Sequence, residues 1–300
     1  MTNKSYASKL LLFGEYSVIQ QSNALAMPYH LFEGKLSFTR DGKGQRDPEL
    51  NALAKYLQKI DSSADGLGFD FDVSSFSFDV GQGLFFDSTI PQGYGVGSSG
   101  ALVAALYERY GEKSNEVEEL KSRFSLIESH FHGSSSGFDP LISYLDRPIL
   151  KTKDGGLECI NLEENKDSSY TLFLINTGRS RKTEPLVNLY LEKCKSEEFS
   201  FLCQNELIPI TNHCIDNFLN HRVHELWDSF YALSKFQFDQ FLPMIPKLFH
   251  DVWREGLEDQ KYILKLCGAG GGGFLMGLTR DFKELSKELS SFEIRPLFKV

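Results

Sequence analysis

The chain has 300 residues, 41% of them hydrophobic and 24% charged, which is enough for two modest domains with buried cores. A formal net charge of −9 argues against a nucleic-acid partner, because proteins that bind polyanions in general carry a positive surface. The apolar run near the N-terminus is too short for a signal peptide or a membrane span. We therefore expect a cytoplasmic globular protein that binds neither nucleic acid nor membrane.

The first half of the chain has the patterns of mixed α and β structure. Short apolar runs predict strands at residues 9–13 and 36–39, and a helical spacing of leucines predicts a helix at 48–60. Apolar and polar residues alternate at 69–80, which predicts a half-exposed strand. A glycine-rich loop and a further helix follow.

The second half begins after a polar stretch at 161–169, which is the candidate domain boundary. Amphipathic helices are predicted at 185–194, 205–219, 223–236, 241–256 and 281–289. Strands are predicted at 170–176, 262–267, 274–278 and 293–298. The closing order of strands and helices indicates a small α+β domain.

Four glycines and two serines stand together in IPQGYGVGSSG, residues 90–100, immediately before a predicted helix. Glycines let backbone N–H groups converge on an anion, and the helix N-terminus adds positive potential, so the loop is a candidate phosphate site. The GxGxxG pattern of dinucleotide-binding folds occurs here and at 268–273, but without the strand and acidic residue that such folds need. The sequence has no Walker A motif, and a tight turn before a helix remains the alternative.

One carboxylate lies beside the apolar stripe of the helix predicted at 114–131. At ~100° per residue, Glu128 falls about 20° from Val117 on the margin of that stripe. Such a carboxylate needs a partner, and Mg²⁺ is a candidate because it prefers one or two carboxylates with phosphate oxygens and water. Contact with solvent or with a lysine is the alternative.

Two histidines and an aspartate follow in HFHGSSSGFD, residues 130–139. His130 and His132 are two residues apart, so they lie on different helix faces and do not indicate a shared metal. Asp139 precedes Pro140, and capping of the next helix is one interpretation of it.

Three segments, taken in order, resemble the motifs of the GHMP kinases, the family of galactokinase, homoserine kinase, mevalonate kinase and phosphomevalonate kinase. They are KLLLFGEYSVI (9–19), PQGYGVGSSGALVAAL (91–106), which looks like the phosphate-binding motif, and KLCGAGGGGFLMGL (265–278), which looks like the glycine loop that supports the nucleotide site. ESHFHGSSSGFD (128–139) and NTGRSRKTEPLV (176–187) are similar to mevalonate kinases in particular. The resemblance spans the chain and implies an ATP-dependent kinase of a small-molecule alcohol.

The resemblance implies an α+β fold of two domains, a ribosomal-protein-like domain at 1–165 and a ferredoxin-like domain at 166–300. It also implies ATP and Mg²⁺ as cofactors and transfer of the γ-phosphate to the primary hydroxyl of mevalonate, in isoprenoid precursor synthesis. Asp139 and Lys9 would be catalytic, while Ser99 and Glu128 would hold the metal. Expected nucleotide contacts are Gly93, Gly95, Gly97, Ser98, Ser99, Gly100, Gly270 and Gly271. Expected acceptor contacts are Glu15, Tyr16, Arg181 and Thr183.

Two positions depart from mevalonate kinases. Tyr16 stands where they commonly have His, and Gly100 stands where they have Ala, and both residues resemble bacterial phosphomevalonate kinases. Phosphomevalonate kinase, or another GHMP kinase, is therefore the alternative assignment. The alternative from another class is a catalytically silent ligand-binding protein of this fold, and a homodimer stays open in either case.

Overall fold

In the computed structural model the chain folds into two compact units, whose pieces alternate along the sequence. The structure describes residues 4–39, 47–64, 66–181 and 184–300. Unit 1 contains the described residues up to Lys9, together with Met27–Pro91 and Gly97–Arg147. Unit 2 contains Leu10–Ala26, Gln92–Val96 and Pro148–Val300. The division at residue 165 stays a prediction.

Unit 1 combines helices with antiparallel strands. Its strands are β3 (Leu84–Ser88) and parts of β1 (Tyr6–Phe13) and β2 (Ala24–Phe38), both of which also contribute residues to unit 2. Its helices are α1 (Pro48–Asp61), α2 (Val73–Gly81), α3 (Ser98–Tyr110), α4 (Val117–His132) and α5 (Phe138–Leu145). β2 pairs with β3 so that Gly34 lies opposite Ser88. Helix α3 is buried from Gly100 to Tyr107 and packs against α4 and α5, while Ser98 and Ser99 at its start are half-exposed.

Unit 2 contains a four-stranded antiparallel sheet in the order β7-β8-β6-β9. Its strands are β6 (Thr171–Asn176), β7 (Tyr262–Leu266), β8 (Phe274–Thr279) and β9 (Glu293–Lys299), and two short strands, β4 (Ile149–Lys151) and β5 (Leu157–Cys159), pair elsewhere. Between β6 and β7 come α6 (Glu184–Lys193), α7 (Glu197–Leu202), α8 (Ile208–Leu219), α9 (Val223–Gln240) and α10 (His250–Asp259), and α11 (Phe282–Glu288) connects β8 to β9. This chain order is the βαββαβ pattern of ferredoxin-like domains. The predicted α+β class is confirmed.

The strand predicted at 69–80 is wrong, because residues 73–81 form helix α2. The side chain of Asp72 caps this helix by accepting a hydrogen bond from the Ser75 backbone N–H at 2.8 Å. Val73, Phe76 and Val80 are its buried residues, and their spacing of three and four matches one helix face. The apolar residues of this segment fit both a strand period of two and a helical period of 3.6, and the Asp72 cap favours the helix.

The helix predicted at 241–256 is also only partly correct. Leu242–Met244 and Lys247–Phe249 form single 3₁₀ turns, and α10 begins at His250. Pro243 and Pro246 explain the interruption, since proline has no backbone N–H to donate within a helix. No helix within the described ranges has the length and apolarity that a bilayer span requires.

Candidate active site

Lys9 and Asp139 form an ion pair in unit 1. Lys9 lies on β1 and is 8% exposed, and its Nζ is 3.0 Å from Asp139 Oδ1. Asp139 belongs to the first turn of α5, but the N-cap of that helix is Gly137, so the aspartate does not serve as the cap. About a third of the Asp139 side chain, 33%, is exposed. The carboxylate can therefore contact the lysine and a substrate at the same time.

Two glycines at the start of α3 allow this helix to approach the ion pair. Gly97 is the N-cap residue, with φ of 77°, and a Cβ atom there would lie 2.8 Å from Lys9 Cγ. At Gly100, a Cβ atom would lie 2.9 Å from both the carbonyl carbon of Asp139 and the nitrogen of Pro140. A methyl group at Gly100 would press directly on the backbone that carries Asp139. The absence of alanine at this position thus has a local packing cause.

Glu128 is a buried carboxylate on α4 that accepts hydrogen bonds from two serines. The Ser99 hydroxyl donates to Glu128 Oε1 at 3.0 Å, and the Ser135 hydroxyl donates to Oε2. Burial, reinforced by the negative charge of Asp139, raises the pKa of Glu128 to about 7. The sequence pattern left solvent or a lysine open as partners, whereas the structure pairs this carboxylate with hydroxyl groups. Its ionised form is the one that a bound cation would stabilise.

His132 joins this cluster, which the sequence pattern did not indicate. Its Nε2 is 3.1 Å from the Ser99 hydroxyl oxygen. The imidazole can donate to this oxygen or accept from it, and the tautomer of His132 decides which. The available signal was the spacing of His132 four residues after Glu128, which puts both on one face of α4. When His132 is compared only with His130, its spacing from Glu128 is missed.

The surroundings of Ser99 suit a hard cation bound together with an anion. One carboxylate and one hydroxyl are a small set of oxygen donors, of the kind that Mg²⁺ completes with water and phosphate oxygens. Ser98 is the first residue of α3, and no side chain from the described part of the chain caps this helix. Its first backbone N–H groups are thus available to an anion, and the helix dipole favours negative charge there. These residues fit the metal and phosphate sites that the motifs predict.

Arg181 lies against two glycine-rich segments of unit 2. Its backbone N–H donates to the Gly93 carbonyl at 2.8 Å. A Cβ atom at Gly95 would overlap the Arg181 guanidinium, and one at Gly268 would lie 2.9 Å from its Nη2. Burial lowers the pKa of Arg181. The guanidinium thus faces the predicted phosphate loop, and its contact with the acceptor stays a prediction; Thr183 lies outside the described residues.

Residues 267–273 follow β7, and we call them the third glycine loop. Tyr16 contacts this loop, and Glu15 contacts Lys265 near the end of β7. Glu15 is buried, and its Oε1 is 2.6 Å from Lys265 Nζ. The Tyr16 hydroxyl donates to the Ala269 carbonyl at 2.5 Å. The loop also contains two expected nucleotide contacts, Gly270 and Gly271. Glu15 and Tyr16 therefore have partners within the protein, and Lys265 is one that the motif comparison did not single out.

Residues 50–147 match the family model described as GHMP kinases N terminal domain. Among solved structures, L. major mevalonate kinase in complex with R-mevalonate is 16% identical, with a TM-score of 0.64 over 97% of this chain and 94% of that one. Streptococcus pneumoniae phosphomevalonate kinase in complex with phosphomevalonate and AMPPNP is 12% identical, with a TM-score of 0.68 over 99% of this chain and 100% of that one. Lactococcus lactis galactokinase complexed with galactose is 14% identical, with a TM-score of 0.67 over 99% and 93%. No curated protein matches the chain by sequence.

Proposed function

We propose that the protein is an ATP-dependent kinase of a small-molecule alcohol. Residues 50–147 match the family model of the GHMP kinase N-terminal domain, and the chain has the fold of solved GHMP kinases. The observation that carries this proposal is the Lys9–Asp139 ion pair beside the N-terminus of α3. Ser99 and Glu128 add an oxygen-donor pair next to it. A protein that only binds a ligand has no need of all four groups.

The residues of unit 1 have distinct roles in the proposed reaction. When bound, MgATP supplies the γ-phosphoryl group, and Ser99, Glu128 and the α3 N-terminus would hold its cation and phosphates. Asp139 orients the acceptor hydroxyl and accepts its proton. A carboxylate is a weak base toward an alcohol, so this proton moves late in the reaction. The Lys9 ammonium, 3.0 Å from Asp139, stabilises the negative charge that develops beside it.

We further propose mevalonate as the acceptor, through its primary hydroxyl. The similarity of residues 128–139 and 176–187 to mevalonate kinases supports this choice. Tyr16 supports phosphomevalonate as the alternative acceptor. Gly100 supports that alternative less, because its contact with the Asp139 backbone accounts for the missing Cβ atom. A role in isoprenoid precursor synthesis and a cytoplasmic location belong to the same proposal.

An ADP-release assay with mevalonate, phosphomevalonate, homoserine and galactose at equal concentrations tests the proposal. We expect mevalonate to have the highest kcat/KM, and we expect the Asp139→Asn protein to release ADP roughly a hundredfold more slowly. Preference for phosphomevalonate would show that Tyr16 was the better guide to the acceptor. If ATP raises the unfolding temperature but no acceptor leads to ADP release, the protein is a ligand-binding protein.

A further inference from the structure

Tyr16 has an uncommon backbone conformation. Its φ of 63° lies in the left-handed region, which residues other than glycine seldom occupy. The ring is buried, with 5% of the residue exposed, and its centroid is 4.7 Å from that of Tyr190 and 5.2 Å from that of Phe241. A conformation of this kind persists only where the surroundings hold it. The two aromatic rings supply that support.

The supported ring directs its hydroxyl to the third glycine loop. The Tyr16 hydroxyl donates to the Ala269 carbonyl at 2.5 Å, across 253 positions of sequence. Burial raises the pKa of Tyr16, so the hydroxyl keeps its proton and remains a donor. On the other side of the loop, the Gly271 N–H donates to the Met244 carbonyl at 2.5 Å. The loop is therefore attached on both sides of Gly270.

The neighbouring residue, Glu15, makes a second attachment at the start of the same loop. Its carboxylate is 2.6 Å from Lys265 Nζ, and the two side chains are 1% and 0% exposed. Lys265 lies on β7, and its ammonium also donates to the Leu266 carbonyl at 2.7 Å, directly before the loop begins. The carboxylate is thus directed through Oε1 to the end of β7, from which the loop continues. Glu15 and Tyr16 together thus act on the loop.

We propose that Tyr16 is a positioning residue, which holds the third glycine loop in the shape that binds the nucleotide and does not select the acceptor. This inference rests on the proposed kinase function, because it assigns the loop to the nucleotide. It also explains why position 16 is a tyrosine without reference to the identity of the acceptor. The hydroxyl spans the distance to Ala269, and the Tyr190 and Phe241 rings stabilise its aromatic body.

The test compares Tyr16→Phe with Tyr190→Phe in the full-length protein. Both changes remove one buried tyrosine hydroxyl from the same ring stack, but among the described residues the Tyr190 hydroxyl has no hydrogen-bond partner in the loop. Loss of one hydrogen bond predicts that Tyr16→Phe weakens AMPPNP binding in calorimetry about fivefold and raises the KM for ATP similarly. The KM for the acceptor should stay within twofold, and Tyr190→Phe should leave both KM values unchanged. An effect of Tyr16→Phe on the acceptor KM alone, or unchanged AMPPNP binding, would overturn the inference.

If Tyr16→Phe does not fold, hydrogen exchange on the wild-type protein tests whether the loop is already ordered without nucleotide, as the inference requires. A loop held by Tyr16 and Met244 should exchange its Gly271 amide slowly even without nucleotide, at a rate near that of β7. Fast exchange of this amide would contradict a preformed loop. The kinase proposal fails separately, if the enzyme releases no ADP with any of the acceptors. The exchange and AMPPNP measurements do not depend on an acceptor.

Discussion

Replacing Gly100 with alanine tests how closely α3 and α5 must approach to place Asp139. The added Cβ atom would lie 2.9 Å from two backbone atoms of residues 139 and 140 and 3.0 Å from Asp139 Cβ, whereas ordinary contacts begin at 3.4 Å. The start of α5 must therefore move by the difference, about 0.5 Å. Because a misplacement of about 1 Å can cost a hundredfold in rate, we expect kcat to fall roughly tenfold. Strain of about 1–3 kcal/mol from overpacking is partly offset by the ~1 kcal/mol that alanine gains over glycine in a helix.

Gly81→Ala is the matched control, because Gly81 ends α2 and a Cβ atom there has nothing within 4 Å. Steady-state kinetics and thermal unfolding of both variants separate misplacement of Asp139 from loss of stability. We expect the control to keep its kcat and to be slightly more stable. We expect Gly100→Ala to lose kcat while its AMPPNP affinity stays within twofold. A Gly100→Ala enzyme with wild-type kcat would refute the proposal that this contact sets the position of Asp139.

Three further substitutions address the carboxylates and the histidine. Asp139→Asn should lower kcat roughly a hundredfold with unchanged AMPPNP binding in calorimetry, and near-normal turnover would remove Asp139 from the mechanism. The pKa of Glu128, near 7 in the folded protein against an ordinary 4.5, implies stability that is fully present below pH 4.5 and lost as pH rises through 7, by about 3 kcal/mol without nucleotide. Urea unfolding at pH 4.5 and 8 should show this loss of stability for the wild type and not for Glu128→Gln. The Glu128→Gln enzyme should also need more Mg²⁺ for its activity. Equal losses of stability in the two proteins would contradict the raised pKa of Glu128. His132→Ala should raise the Mg²⁺ concentration for half-maximal rate about fivefold, whereas His130→Ala, which removes a ring packed on Tyr56, should not; equal effects would exclude a specific role for His132.

The sequence by itself determined most secondary-structure elements, because their patterns are local. The apolar runs at β1 and β6–β9 and the helical spacing in α1 and α4 each decide an element from adjacent residues. The strand predicted at 69–80 failed because its residues satisfy both periods, and the Asp72 cap, a single hydrogen bond, favours the helix. The glycine motifs likewise indicated a kinase-like fold from short segments alone.

Only the tertiary structure decided which side chains meet. Glu15 and Lys265 are 250 residues apart, and no local pattern shows that burial forces the two charges to pair. The contact of His132 with Ser99 depends on how α4 packs beside α3, and the need for glycine at position 100 depends on the approach of α5. Periodicity tells which face of an element is buried, but the partner of a buried polar group is set by packing between distant segments. For that reason the motif residues were recognisable from sequence, whereas the partners that hold them were found only in the fold.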